Sequence, residues 1–427
     1  MIHQLAEKIT LHSSSFKDWY QSKLNVLGPL PPPVYSSVDL RNSGFKISVV
    51  DTNLFPAGFN NLCETFSETG AQAFQSYFRQ WYPSAQKVLI LPEEHTRNLP
   101  YWKHVLALQT MLENAGFKVQ VGSASTRFDQ NPFRIAVEPH ENSPSIAIHK
   151  IFIQDGYLKT HDFVPDVILI NNDLSTGTPD YLNNLHQPLI PSPHLGWYKR
   201  KKSDHFALYE RLIEEASSLL EIDPWKLSSY FTVETGVDLT DEICLKRLAE
   251  TTDQLLARIR QKYLQYGIPR TPYIFIKNNS GTYGLGITHV ESGHEIMEIN
   301  RRTRNKLESS KGGLVVNSYL LQEGIPTADF YNGKPIEPVV YLVGGKPIGT
   351  FFRIHDSKNE MENLNSPGMS FACLCLHKLD ASQKKYHLTC GDKEQLLTVS
   401  SFLGQIATLA ASTELKKILK PLREKSA

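Results

Sequence analysis

Cysteine is scarce in this chain. Cys63, Cys244, Cys373, Cys375 and Cys390 are the five in 427 residues, odd in number and scattered, which argues against a disulfide framework. Cys373-Leu-Cys375 is a CxC without a partner pair, so no zinc site is expected. The alternation in FACLCLHKL reads instead as a strand with two buried thiols. Charge of one sign is not in excess. Lys and Arg number 45 against 44 Asp and Glu, which speaks against a general nucleic-acid binder. No apolar run approaches the roughly 18 residues of a membrane span. The first residues, MIHQLAEKITLHSSS, lack the apolar centre of a signal peptide. Internal repeats and low-complexity tracts are missing as well. These absences lead us to expect a soluble, reduced, cytoplasmic protein. At 41% hydrophobic and 21% charged residues it is ordinary globular material, long enough for two or three cores.

What is present begins with Ile274 to Ile287, IFIKNNSGTYGLGI. A β-branched run ends in Lys277, and a loop spaced by Gly281, Gly284 and Gly286 follows, with Thr282 and Tyr283 inside it. Glycines let the backbone approach a phosphate closely. Successive amides make an anion-binding concavity, and the lysine adds a point charge. The loop is neither a Walker A motif nor GxGxxG. A glycine-rich hairpin turn is the plain alternative.

The surrounding pattern is α/β. Residues 1–27 read as helix, GPLPPP breaks it, and residues 63–80 read as helix again. From Lys87, strands (87–91, 117–122, 164–173) alternate with a helix at 101–115, and 145–154 reads as a hairpin. Such alternation implies a parallel sheet with ligands at the carboxyl ends of its strands. Those ends carry Glu93 to Asn98 and Asn171 to Asp173. Thr96 or Asn98 also suits a helix start. The basic run YKRKK, ending at Lys202, is either a solvated face or a border of phosphates. Residues 204–265 read as mostly helical, 272–355 as strands, and 393–420 as a last helix. Three parts are expected: 1–84, a helix plus a metal-binding strand pair; 85–203, a parallel α/β domain; and 204–427, a helical segment with the ATP-binding core.

Downstream of the glycine loop, the apolar strand ending at Gln322-Glu323-Gly324-Ile325 is similar to the hinge of the ATP-grasp fold. There the backbone pairs with adenine and a carboxylate takes the ribose hydroxyls. Glu323 is otherwise a strand-end turn residue. PVVYLVGGKPIGTFFRIH, ending near Arg353, and the loop Asn363-Leu364-Asn365 resemble the glutathione synthetase branch of that fold. An ATP-grasp ligase needs Mg²⁺ on hard oxygen ligands. No acid-x-Asn pair occurs near the C-terminus, but VDLRNSGFKISVVDTN supplies Asp39 on one short strand and Asp51 and Asn53 on the returning one. A circularly permuted ATP-grasp core is therefore expected, with Asp39, Asp51 and Asn53 on the metal. An Asx-type turn is the competing reading of VDTN.

Six ordered segments, VDLRNSGFKISVVDTNLFPAGFNN, PEEHTRN, ILINNDLSTG, IFIKNNSGTYGLGI, LLQEGIPT and ENLNSPGMSF, together resemble a bacterial family of glutamate–cysteine ligases over nearly the whole chain. One departure is Asn278-Asn279, where the family usually carries Ala-Asp. The resemblance implies ATP-dependent joining of the glutamate side-chain carboxylate to cysteine through an acyl phosphate. Lys277 and Arg353 would hold the phosphates. Gly281 to Gly286, Gln322, Glu323 and Ile325 would bind ATP. Arg41, Asn61, His95, Arg97, Asn172, Asn363 and Asn365 are the candidates for contacting small-molecule substrates. Arg41 suits the glutamate α-carboxylate, whereas Lys46 reads as a surface charge. Another carboxylate–amine ligase, such as a glutathione synthetase, would share the same ATP machinery. A non-catalytic ATP-binding regulator and a pure interaction protein are the remaining alternatives.

Overall fold

A computed structural model describes residues 1–94, 98–128, 130–138, 140, 143–281, 284, 286–309, 315–374, 386–387 and 393–424. Its architecture is α/β: an ATP-grasp-like pair of antiparallel sheets and, beside them, a largely parallel sheet.

The parallel sheet has the order Leu189–Ile190, Val167–Asn171, Lys87–Pro92, Lys118–Ser123, Ser145–Lys150, Phe133–Ala136, with only the last strand antiparallel. VLILP and VILIN are apolar throughout because both faces are covered. Val88, Ile90, Val167 and Leu169 pack in the core that includes helices Glu64–Trp81 and Leu99–Asn114. Leu89, Leu91, Ile168 and Ile170 pack on the other side. The expected hairpin at 145–154 is instead split between two sheets: Ser145–Lys150 joins the parallel sheet, while Phe152–Gln154 pairs with Tyr157–Lys159.

The main antiparallel sheet runs Met369–Cys373, Lys346–His355, Lys334–Val343, Tyr35–Asn42, Ile47–Asn53. Gly344 and Gly345, at φ 56° and 79°, make the turn between its two longest strands. The Tyr35–Asn53 hairpin completes this sheet from the far end of the chain, by antiparallel pairing of Tyr35–Asp39 with Val339–Val343. The smaller sheet runs Phe231–Thr235, Ser318–Glu323, Ile274–Asn278, Ile287–Val290. Its first strand lies in a stretch read as helical. Two short helices, Gly293–Met297 and Arg301–Leu307, interrupt a stretch read as strands.

Residues 1–27 form two helices, Ile2–Leu11 and Ser13–Leu27. The last helix, Lys393–Glu424, lays Leu396, Val399, Phe402, Leu403 and Ile406 at helical spacing in the core beneath the main sheet. It is the one described helix long and apolar enough to cross a membrane, but 72% of that window is buried inside the protein. Its apolarity is thus accounted for by core packing. Cys373 is half-buried rather than buried, and Cys375 lies outside the described residues.

Candidate active site

Side chains alternate along a strand, so each sheet offers one face to its helices and one to the space between the sheets. In the hairpin, Val38 and Leu40 face the helical core while Asp39 and Arg41 face the cleft. In the smaller sheet, Ile274 and Ile276 pack on the helix side and Phe275 and Lys277 face the cleft. The cleft, which opens to solvent, spans about 620 Å³ of space not filled by protein atoms. Asp39, Arg41, Val50, Asp51 and Glu337 line it from the main sheet. Phe275, Lys277, Asn278, Gly281, Gly284, Ile287, Gln322, Glu323 and Ile325 line it from the smaller one. Lys202 and the loop residues Asn363 and Asn365 close it.

Asp39 and Asp51 stand directly opposite each other in register across the hairpin. Each carries a cation. Arg353 gives Asp39 bonds of 2.9 and 3.3 Å and reaches Glu337 at 2.5 Å. Lys202 Nζ meets Asp51 Oδ1 at 2.5 Å. Burial raises the Asp39 carboxyl, aided by Glu337 and Asp51 and opposed by Arg353. Burial would raise Asp51 too, but Lys202 and Lys277 outweigh it and hold it at about 2. Lys277 donates to Gln322 Oε1 at 2.7 Å and to the Val50 carbonyl at 3.1 Å, tying the two sheets together. Burial pushes this ammonium down to about 8, against the pull of Asp51. Gly284 sits at φ 67°, so close to the Asn365 carbonyl that no Cβ would fit. The glycine loop and the Asn363–Asn365 loop are therefore in contact.

The structure brings together Lys277, Gly281, Gly284, Gln322, Glu323, Ile325, Asp39, Asp51, Arg41, Asn363 and Asn365 around this cleft. Arg353 lies just beneath, bonded to two of the lining carboxylates. Gly286 is adjacent in the loop. Asn61, Asn172 and Asn53 are not among the lining residues. Asn172 Oδ1 accepts from Leu174 N, and Asn53 Oδ1 accepts from Phe55 N. The Asn53 bond is of the Asx-turn type. Thr282, Tyr283, His95 and Arg97 lie outside the described residues. Asn98 caps the Leu99–Asn114 helix through Tyr101 N.

Two of the candidates have protein partners, and one electrostatic expectation, that for Lys46, is corrected. Arg41 is 3% exposed, bonds Glu337 at 2.8 Å and the carbonyls of Ile325, Glu360 and Glu362, and lines the cleft as well. Glu323 shares the helix-side face of Leu321, where Trp225 Nε1, Tyr230 N and Lys46 donate to it. Its carboxylate is held by these protein groups, and the residue also lines the cleft. Lys46 is no surface charge: it is wholly buried, 2.9 Å from Glu323 and over the Trp225 ring at 4.1 Å. Lys202 and Glu337 were absent from the expected site residues. Only the basic run hinted at the first. Burial would raise Glu337, but Arg41 and Arg353 hold it below the usual carboxylate range.

The family model described as GshA, glutamate-cysteine ligase, matches residues 6–415. The chain belongs to that family. It is accordingly a ligase. The crystal structure of "Putative gamma-glutamylcysteine synthetase" from Methylobacillus flagellatus KT is similar to this family member at 36% identity, covering 97% of this chain and 96% of that one, with a TM-score of 0.85. Two weaker likenesses are a glutathione synthetase like-effector (GSS30) from Globodera pallida and D-alanyl-alanine synthetase A from Vibrio cholerae. The first has 10% identity, coverage of 87% and 83%, and a TM-score of 0.40. The second has 11% identity, coverage of 70% and 77%, and a TM-score of 0.31. No curated protein matches. The glutamate–cysteine ligase family fits a cleft whose cations and carboxylates are gathered from opposite sheets. Among the described residues, no three His, Cys, Asp or Glu side chains are grouped to hold a metal by themselves. A divalent ion would therefore need oxygens from elsewhere to complete its shell.

Proposed function

We propose that the chain joins L-glutamate, through its γ-carboxylate, to L-cysteine with ATP, giving γ-glutamylcysteine, ADP and phosphate through a γ-glutamyl phosphate. The observation that carries this reading is the facing of Lys277 and its glycine loop by Asp51 and Asp39 across one cleft. Lys277 and Lys202, held by Asp51, would bind phosphate oxygens as point charges. Arg353, kept charged by Asp39 and Glu337 against its burial, would stabilise the transferring phosphoryl group from beneath. Gly281 to Gly286, stopped by the Asn363–Asn365 loop, would close over the phosphates and keep water from the acyl phosphate. The backbone from Gln322 to Ile325 borders the cleft where a base would lie.

Mg²⁺ suits the donor set. It is usually held by one or two carboxylates, with phosphates and waters completing its shell, and Asp39 and Asp51 are two hard anionic donors in opposed register. Bound there, it would draw charge off the phosphates. The entry of an N-terminal acid-bearing hairpin into a sheet otherwise built from residues 330–387 supports reading the core as circularly permuted. It also favours 1–84 and 204–427 acting as one ATP-binding unit beside 85–203.

The test is phosphate release from ATP with Mg²⁺ and glutamate, with and without cysteine, scanning other amines in its place. Cysteine-dependent release with a γ-glutamylcysteine product is expected. Release that ignores cysteine but follows γ-glutamylcysteine plus glycine would move the chain to glutathione synthetase chemistry. No nucleotide-dependent release under any pairing would overturn the ligation reading.

A further inference from the structure

Arg200, His205 and Glu414 form a buried charged cluster that the chemistry above leaves unused. They are 3%, 2% and 4% exposed. Arg200 precedes the Lys202–Leu219 helix, His205 lies in its first turn, and Glu414 comes from the last helix. Arg200 grips Glu414 with two bonds, Nε to Oε2 at 2.8 Å and an Nη to Oε1 at 3.1 Å. His205 Nδ1 closes on the same carboxylate. The remaining nitrogen of Arg200 donates to the Thr52 carbonyl at 2.6 Å. Thr52 follows Asp51, and its amide bonds the Asp51 carboxylate at 3.0 Å. The Arg200 guanidinium lies 4.9 Å from the centre of the Trp197 ring. The same ring carries Lys202 Nζ at 4.5 Å, the ammonium that meets Asp51.

A buried ion cluster is weak evidence for stability, since apolar residues often replace one without loss. What this cluster supplies is direction. A guanidinium fork fixed by a carboxylate points its third donor one way, and here that way is the backbone beside Asp51. An Arg200 without Glu414 would also be a loose cation next to Asp51.

We infer that Glu414 is a positioning residue for the phosphate end of the cleft: by orienting and neutralising Arg200, it fixes the Thr52 carbonyl and leaves Asp51 to Lys202 and a divalent cation. This rests on the ligase reading of Asp51 given above.

Two variants test it. Glu414→Gln keeps the volume and removes the charge. Arg200→Lys keeps the charge but cannot make the two-pronged grip and the Thr52 bond together. Both should weaken Mn²⁺ binding to the ADP-loaded protein, read by electron paramagnetic resonance, about tenfold, as loss of a supporting partner does. The Mg²⁺ needed for half-maximal turnover should rise in step, with the KM values for glutamate and cysteine unchanged. Unchanged Mn²⁺ binding in the folded variants would overturn the inference. So would a fall in kcat that tracks a lower Tm at constant Mg²⁺ dependence, because the cluster would then only support the fold. If Glu414→Gln does not fold, Arg200→Lys decides by the same criteria. Wild-type protein that fails to bind Mn²⁺ with ADP would refute the underlying ligase reading, and this inference with it.

Discussion

Lys277→Met removes one ammonium from the cleft and keeps most of its apolar stem. Wild-type Nζ is held by Gln322 and the Val50 carbonyl in a site 8% exposed. A hydrogen bond to a charged group contributes about 1.5–3 kcal/mol. Loss of the phosphate contact should therefore lower kcat/KM for ATP by roughly 13- to 160-fold. The fold should survive. Burial already disfavours this ammonium, so removing it offsets part of the cost, about 1–3 kcal/mol, of leaving two acceptors without their donor. Initial rates of phosphate release and a urea melt measure the two quantities separately. Activity within twofold of wild type at an unchanged melt would refute the phosphate assignment. The pH profile gives a second reading of the same group. Its folded pKa is lowered, to about 8, by burial against Asp51. The free enzyme therefore loses the ammonium as pH rises through about 8, where the unfolded chain would still be charged. Bound phosphate favours the charged form, so kcat/KM for ATP should be full below about 8 and fall roughly tenfold per pH unit above it. Lys46 is also pushed to about 8, but it serves Glu323. Lys277→Arg, which stays charged, should therefore abolish the fall. A wild-type profile flat to about pH 9.5 would contradict the argument.

Asp51→Asn takes one anionic oxygen from the cleft and frees Lys202, so the Mg²⁺ titration should shift to higher concentration. An unchanged titration rejects Asp51 as a ligand. Lys46→Met leaves Glu323 buried without its cation and should cost about 3–5 kcal/mol in a urea melt, much of it recovered when Glu323→Gln is added. If the second change brings no recovery, the two are not a coupled pair. Gly284→Ala forces a Cβ onto the Asn365 carbonyl at a positive φ, costing at least about 1 kcal/mol of loop strain. The KM for ATP should rise, and an unaltered KM would mean the loop does not touch nucleotide.

Lys277 with its glycines, the two acid-bearing arms around Gly44, and the Gln322–Ile325 strand end were all legible because each is a local pattern. Strand alternation, a turn glycine and a polar residue at a strand end are written within ten residues of one another. The Asx-type bond of Asn53 was legible too, since that pattern was visible in VDTN. Lys46 was misread because a lysine just after a turn glycine looks solvated. Its partner lies 277 positions away, and nothing local announces a buried ion pair. The strand at Phe231–Thr235 escaped for a related reason. With burial on neither face complete, it shows no strong period, and its pairing with Ser318–Glu323 defines it.

By itself, then, the sequence determined most of the elements, the family resemblance and many of the chemistry-bearing residues that line the cleft. Tertiary structure decided which partners each of those residues meets. Arg353 finds Asp39 across 314 positions and Lys202 finds Asp51 across 151. Arg41 and Glu323 likewise bond partners between 93 and 321 positions away. A side chain's charge is a property of the residue, but its availability depends on every group folding brings within about 3 Å, and local periodicity carries no record of those groups.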